Sequence, residues 1–334
     1  MSGLLEIRGL TVTYRQGRRS ITALDGLDLD IAAGETLSVV GESGSGKTTL
    51  GNAVLGLVSP TAGMITFGGL DITATRPRAL TQDIQVVFQD PHGSLNPVRT
   101  IGQTLEEPLL AHRSMNRRQR RAEVAAALER VGLADDAASQ YPAQFSGGQM
   151  QRIAIARALM LSPRLVVCDE AVSALDLSIQ AQILNLLRRL QRELGLSYLF
   201  ISHDLAVVRH VSDRVAVLYR GKLMETGPAA RVCDHPDHPY TQALLAAAPV
   251  PDPAEQRRRR PADVSAIDVA ASTDGGCPFR TRCPHAIDRC AEPLVVHDTP
   301  DGSVACHRYG ELTADPAPEP PACVRTPQPA RTPA

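Results

Sequence analysis

Tryptophan is absent from the 334 residues, and Phe, Tyr and Trp together make up 3%. So few rings exclude a base-stacking platform for single-stranded nucleic acid. An excess of positive charge is missing too: 35 Lys and Arg face 36 Asp and Glu, for a net charge of -1. That balance excludes a protein that grips nucleic acid through bulk charge, so no nucleic-acid partner is expected. No apolar run approaches the ~20 residues that cross a bilayer. Glu6 and Arg8 interrupt what would have to be a signal-peptide core. Any membrane role therefore needs another protein to supply the span. What is present is an ordinary balance for a soluble core, 43% hydrophobic and 21% charged residues. The length suits one large domain with an appendage.

Proline divides the chain, because 15 of the 25 prolines fall from Pro249 onward. Residues 1–245 read as one packed domain, 246–311 as a looser extension, and 312–334, rich in Pro, Ala and Thr, as disordered. Within the body, Leu4–Tyr14 and Ile21–Ile31 alternate apolar and polar residues, as half-buried antiparallel strands do. Thr36–Val40, Gln85–Phe88, Leu165–Cys168 and Tyr198–Ile201 are short apolar runs, the pattern of strands covered on both faces. Ile179, Ile183, Leu186, Leu187, Leu190 and Leu194 recur at helical spacing, with Ser178 predicted as N-cap and Gly195 as terminator. Val124, Leu128 and Val131 do so more briefly before Gly132. The expected fold class is α/β: a parallel core sheet, an antiparallel β subdomain at the start and a helical subdomain over about 100–162.

The segment Gly41-Glu-Ser43-Gly44-Ser45-Gly46-Lys47-Thr48 follows a predicted strand and opens a predicted helix. It has the form G-x-x-x-x-G-K-[ST], in which backbone amides wrap a phosphate, the lysine reaches the β- and γ-phosphates and the hydroxyl binds Mg²⁺. This predicts a nucleoside triphosphate site. The strand Leu165–Cys168 ends in Asp169 and Glu170. At that place Asp169 can hold Mg²⁺ and Glu170 can polarise the attacking water as general base. Phe145-Ser146-Gly147-Gly148-Gln149 precedes another helix and offers a second set of bare amides. The strand Tyr198–Ile201 runs into Ser202 and His203, a histidine suited to a γ-phosphate.

In this order and spacing the sequence resembles the ATP-binding-cassette (ABC) ATPases of the P-loop NTPase class, from Leu4 to about Leu245. The resemblance implies that Tyr14 stacks on adenine, that Gly41 to Thr48 with Thr49 form the Walker A loop, and that Gln89 senses Mg²⁺ and the attacking water. It makes Phe145 to Gln149 the signature motif, with Phe where the family usually has Leu. Asp169 and Glu170 become Walker B and the catalytic glutamate, Asp176 the D-loop aspartate and His203 the switch histidine; Ala171 stands where proline is common. The mechanism implied is hydrolysis in a shared site, with two cassettes docked head to tail and the Walker A loop of one facing the signature of the other.

Finer resemblances, in Phe88 to Pro97, Glu107 to His112, Cys168 to Gln182 and His238 to Leu245, point to the importer ATPases of the dipeptide, oligopeptide and nickel group, second-subunit type. They imply a second ATPase subunit, with a different chain favoured over an identical one. They also imply two transmembrane permease subunits, an indirect link to an extracytoplasmic substrate-binding protein, and a place on the cytoplasmic face of the cell membrane. The alternative is a soluble ABC ATPase acting on DNA or the ribosome; the chain has one cassette and no sustained heptad between the phosphate loop and the signature.

Cys277, Cys283, Cys290 and Cys306 are spaced C-x5-C-x6-C-x15-C in a proline-stiffened segment. Four thiolates there suit a soft-metal site. Peptide-importer ATPases with this tail resemble those carrying a [4Fe-4S] cluster on four cysteines, with zinc or unligated thiols as the alternatives. Cys168 and Cys233 read as packing residues, and Cys323 falls in the tail. The arginine clusters 117–121 and Arg257 to Arg260 read as solvated faces, with attraction to anionic lipid as the other option.

Overall fold

A computed structural model of the chain describes residues 3–17, 19–247 and 275–312. The alternating opening segments form β1 (Leu5–Gln16) and β2 (Arg19–Ile31), which pair antiparallel with Leu5 opposite Ile31 and Tyr14 opposite Ile21. The fully buried β3 (Thr36–Val40) opens a different sheet and leads into α1 (Lys47–Val54). The chain then returns to the first sheet as β4 (Ala62–Phe67) and β5 (Leu70–Asp71), giving the order β2-β1-β4-β5.

After the short α2 (Pro77–Leu80), β6 (Ile84–Val87) joins the second sheet. Next comes a run of helices: α3 (Pro91–Ser94), α4 (Ile101–His112), α5 (Arg117–Arg130) and α6 (Gly147–Leu159). The last three start the same way. Thr100, Asn116 and Ser146 each cap with a side-chain oxygen while the Gln three residues on returns to the cap amide, so two end donors are satisfied reciprocally.

The remaining elements are β7 (Leu165–Asp169), α7 (Leu177–Leu194), β8 (Ser197–Ile201), α8 (Leu205–Val211), β9 (Arg214–Tyr219), β10 (Lys222–Pro228), α9 (Ala229–Asp234) and α10 (Pro239–Ala247). β11 (His297–Thr299) and β12 (Gly302–Val304) close the described chain. The second sheet runs β11-β12-β10-β9-β3-β8-β7-β6. It is parallel from β9 to β6 and antiparallel from β9 outward to β11. The α/β class and the two-sheet arrangement agree with the sequence. Some boundaries do not. α7 begins at Leu177 with Asp176 at the cap, ahead of Ser178, and Gly195 ends it at φ 65°.

No pattern in the cysteine segment signals that it is joined to the main sheet. β12 pairs with β10, with Val304 opposite Glu225 and Ser303 opposite Thr226. Three-residue strands have no periodicity to read, and only their tertiary partner makes them strands. The same segment shares a core with the body: Cys277, Phe279 and Cys290 pack with Val40, Val217, Tyr219 and Tyr240. Cys168 and Cys233 lie in buried apolar clusters. Burial pushes the Cys168 thiol up to about 12, as an inert core residue requires. Cys323 and Arg257 to Arg260 lie outside the described residues.

Candidate functional site

The loop from Gly41 to Gly46 leaves the carboxyl end of β3, the usual place for a ligand in a parallel sheet. Two backbones press on it. A Cβ on Gly41 would stand 2.1 Å from the Leu218 carbonyl oxygen, and one on Gly46, where φ is +107°, 2.5 Å from that of Ala23. Ser45 is buried, whereas Ser43 and Gly44 are exposed. Lys47 lies buried inside the loop, and its Nζ donates to the carbonyls of Gly41 (2.7 Å) and Glu42 (2.9 Å). Burial lowers its pKa, opposed by the charges of Glu170, Asp169 and Glu42. Tyr14, 41% exposed on β1, donates from its hydroxyl to Thr49 Oγ1 at 3.4 Å, which sets its ring beside the start of α1.

Asp169 ends β7 facing this loop. Burial and the neighbouring Glu170 raise its pKa, while Lys47 and a hydrogen bond with Thr48 pull it down. Its Oδ1 is buried with no hydrogen-bond partner. A buried, unsatisfied carboxylate oxygen beside a hydroxyl fits the oxygen donor set of a hard divalent cation such as Mg²⁺. Glu170 has φ 49°, a left-handed backbone that a non-glycine side chain takes at a cost of about 1–3 kcal/mol. Its amide donates to the Ile201 carbonyl at 3.0 Å, which pins that turn to β8. His203, just past β8 and exposed, places Nδ1 3.4 Å from Glu170 Oε1. A carboxylate, a histidine, a lysine and a metal-competent aspartate thus converge at the carboxyl ends of the neighbouring strands β3, β8 and β7.

The signature residues form a second group. Ser146 is the exposed N-cap of α6, and its Oγ accepts from the Gln149 amide at 3.4 Å. Gln149 is engaged in return, its Oε1 accepting from the Ser146 amide at 2.9 Å. A Cβ on Gly148 would lie 2.6 Å from Ile179 Cγ2, so glycine lets α6 start directly against α7. Asp176 caps α7 with no side-chain hydrogen bond, and Leu177 beside it is 84% exposed. Gln89 is exposed just past β6. Sequence reasoning missed Gln151, fully buried on α6, whose Nε2 donates to the Phe88 carbonyl at 3.4 Å and ties the signature helix to the turn bearing Gln89. Its signal was a lone amide among Met150, Ile153 and Ala154, all of them core residues.

The four cysteines of the extension line one cleft together with His238, His285 and His307. Burial, then the charges of Cys290, Cys283 and Cys306, push the Cys277 thiol up to about 11. His307 Nε2 is buried without a partner. His238 accepts the Tyr240 amide on Nδ1 at 2.9 Å, and its Nε2 faces the Ala305 carbonyl without reaching hydrogen-bond geometry. Burial holds that ring neutral, with its pKa down to about 4. Among the described residues, no three His, Cys, Asp or Glu side chains are placed to hold a single metal ion.

Residues 24–173 match the family described as "ABC transporter", and residues 224–290 match "Oligopeptide/dipeptide transporter, C-terminal region". The oligopeptide transport ATP-binding protein OppF of Escherichia coli is 48% identical over 324 residues, covering 92% of this chain and 97% of its own. A probable peptide ABC transporter ATP-binding protein, y4tS of Sinorhizobium fredii, is 47% identical over 91% of this chain and 89% of its own. Among solved structures, the dimeric post-hydrolysis state of the ATP-binding cassette MJ0796 bound to ADP and Pi is 31% identical, with TM-score 0.61 over 67% of this chain and 98% of that one. Cassette cbiO1 of Clostridium perfringens gives 29% and 0.64 over 70% and 91%. A cassette serving DNA or the ribosome is not favoured, because the C-terminal match is to a transporter region. The chain belongs to the ABC ATPases, among the ATP-binding subunits of the oligopeptide/dipeptide transporter group.

Proposed function

We propose that this chain hydrolyses ATP as one of two cassettes on the cytoplasmic face of the cell membrane. In this role it powers uptake of di- or oligopeptides, or related solutes, through a separate pair of permease subunits. The second cassette is a different ATPase subunit, and an extracytoplasmic binding protein delivers the cargo. The observation that carries this reading is the transporter-type C-terminal match over 224–290, which begins in β10 and so shares a sheet with the phosphate loop. No helix among the described residues is long and apolar enough to cross a membrane, and in this proposal the permease pair supplies the span. Phe88 and Val98, 40% and 78% exposed on either side of the α3 turn, give the permease an apolar landing surface. Extraction of native membranes and purification through this chain is expected to recover two integral membrane proteins and a second ATPase. Recovery of ribosomes or DNA instead overturns the reading.

In the proposed mechanism the loop amides and Lys47 receive the β- and γ-phosphates, and Tyr14 takes the adenine. Thr48, Asp169 and Gln89 would hold Mg²⁺, whose charge neutralises the phosphate oxygens. Glu170 accepts the proton of the attacking water while His203 fixes its carboxylate. The signature residues of the other cassette close this site over the γ-phosphate, while Ser146, Gly148 and Gln149 close the other cassette's, so ATP joins the two halves and hydrolysis releases them.

Cys277, Cys283, Cys290 and Cys306 would hold the [4Fe-4S] cluster. What supports this reading is the donor type: four thiols line one cleft, and cysteine thiolates are the ligands such clusters take. Bound there, it supplies a covalent staple to a segment poor in apolar residues. Anaerobically purified chain is expected to be brown and to carry iron and acid-labile sulfide in equal amounts, both lost in Cys277→Ser. A colourless protein with stoichiometric zinc, or with no metal, overturns the cluster.

A further inference from the structure

An ion pair spans 240 residues of sequence between the cysteine segment and the phosphate loop. Arg282 donates from both terminal guanidinium nitrogens to the Glu42 carboxylate, at 2.8 and 2.9 Å, the bidentate geometry of a strong charge-assisted pair. The guanidinium lies against the Phe279 and Tyr219 rings, 5.6 and 5.9 Å from their centroids. Its backbone is held by the turn that joins two cysteines: the Arg282 amide donates to Phe279 and the Arg280 amide to Cys277, at 2.9 and 3.1 Å. Tyr240 reaches the same residue. Its buried hydroxyl accepts from the Glu42 amide at 2.9 Å, and its ring packs 4.5 Å from Tyr219 and 5.3 Å from Phe279.

Glu42 is the second residue of the phosphate loop, and its carbonyl accepts the Lys47 ammonium. A loop built to receive a polyanion therefore carries a carboxylate next to its own lysine. Left bare, that charge would repel the phosphates and hold the lysine to itself. Arg282 cancels it, and Tyr240 fixes the backbone that bears it.

We propose that Arg282 is a positioning residue of the ATP site: by neutralising and anchoring Glu42 from the cysteine segment, it sets the affinity of the phosphate loop for MgATP. The inference rests on the reading of residues 41–48 as the triphosphate site. The pair makes no contact with Glu170 or His203, so it acts on binding and leaves the chemical step alone.

The test compares the full-length chain with Arg282→Ala, Arg282→Lys and the double variant Arg282→Ala/Glu42→Gln, reading MgATP affinity, KM, kcat and melting temperature. For a half-exposed pair, loss of the arginine is expected to weaken MgATP binding and raise KM about three- to tenfold, with kcat changed less than about twofold. Lysine should restore part of the loss. The double variant should recover most of it, because removing the carboxylate removes the repulsion. A merely structural role would leave the double variant as weak as the single one, with both melting early, and that result overturns the proposal. So does Arg282→Ala binding MgATP like the wild type. If the wild type itself binds no MgATP, what fails is the reading of the loop.

Discussion

Glu170→Gln is expected to lower kcat by about 10²–10⁴-fold while leaving MgATP bound, the scale of a lost general base. Glutamine matches the carboxylate in shape and keeps what the backbone supplies: the left-handed turn at φ 49° and the amide bond to Ile201. It cannot accept a proton at neutral pH. The same change removes a charge that raises the pKa of Asp169, so Asp169 stays ionised more readily and metal binding should hold or tighten. Lys47 also loses one of the carboxylates that keep it protonated, but Asp169 and Glu42 remain. Nucleotide binding and phosphate release, measured on one preparation, separate the two effects. Undiminished turnover would remove Glu170 from the mechanism, and lost binding would make it a structural residue.

The parts of this site that could be read in the sequence are those whose chemistry is local. Gly41 to Thr48 is contiguous because one loop must wrap one phosphate chain. Asp169 and Glu170 are adjacent because a single strand end delivers both. The buried parallel strands were visible as apolar runs, since both faces of such a strand are covered. What stayed hidden depends on contacts that no spacing records. Arg282 lies in a segment without periodicity, which only the pairing of β12 with β10 and the Glu42 ion pair tie to the phosphate loop. Tyr240 belonged to a motif with no evident role, yet its hydroxyl holds a loop amide. Gln149 read as a ligand residue, and the structure adds a local task, the reciprocal cap with Ser146. β9, Arg214–Tyr219, is a short apolar run after one arginine, and such a run has no period that tells a buried strand from a helix segment.

The second large effect concerns concentration. Ser146 opens α6 at the surface, where its own cap satisfies one amide and leaves others open. In the proposed mechanism the loop amides, Lys47 and Mg²⁺ meet the phosphates from one side, and the signature of the other cassette meets the γ-phosphate from the opposite side. Hydrolysis should therefore scale with the population of paired cassettes. Below the association midpoint, a hundredfold dilution is expected to cut activity per subunit by about a hundredfold, as mass action requires. ATP with Glu170→Gln should shift the sedimentation of the chain toward the paired state, because nucleotide then binds both halves and is not consumed. Specific activity that stays constant through the dilution series, in a sample shown to be monomeric, would mean that one chain completes the site alone, and Ser146 would then have no part in hydrolysis.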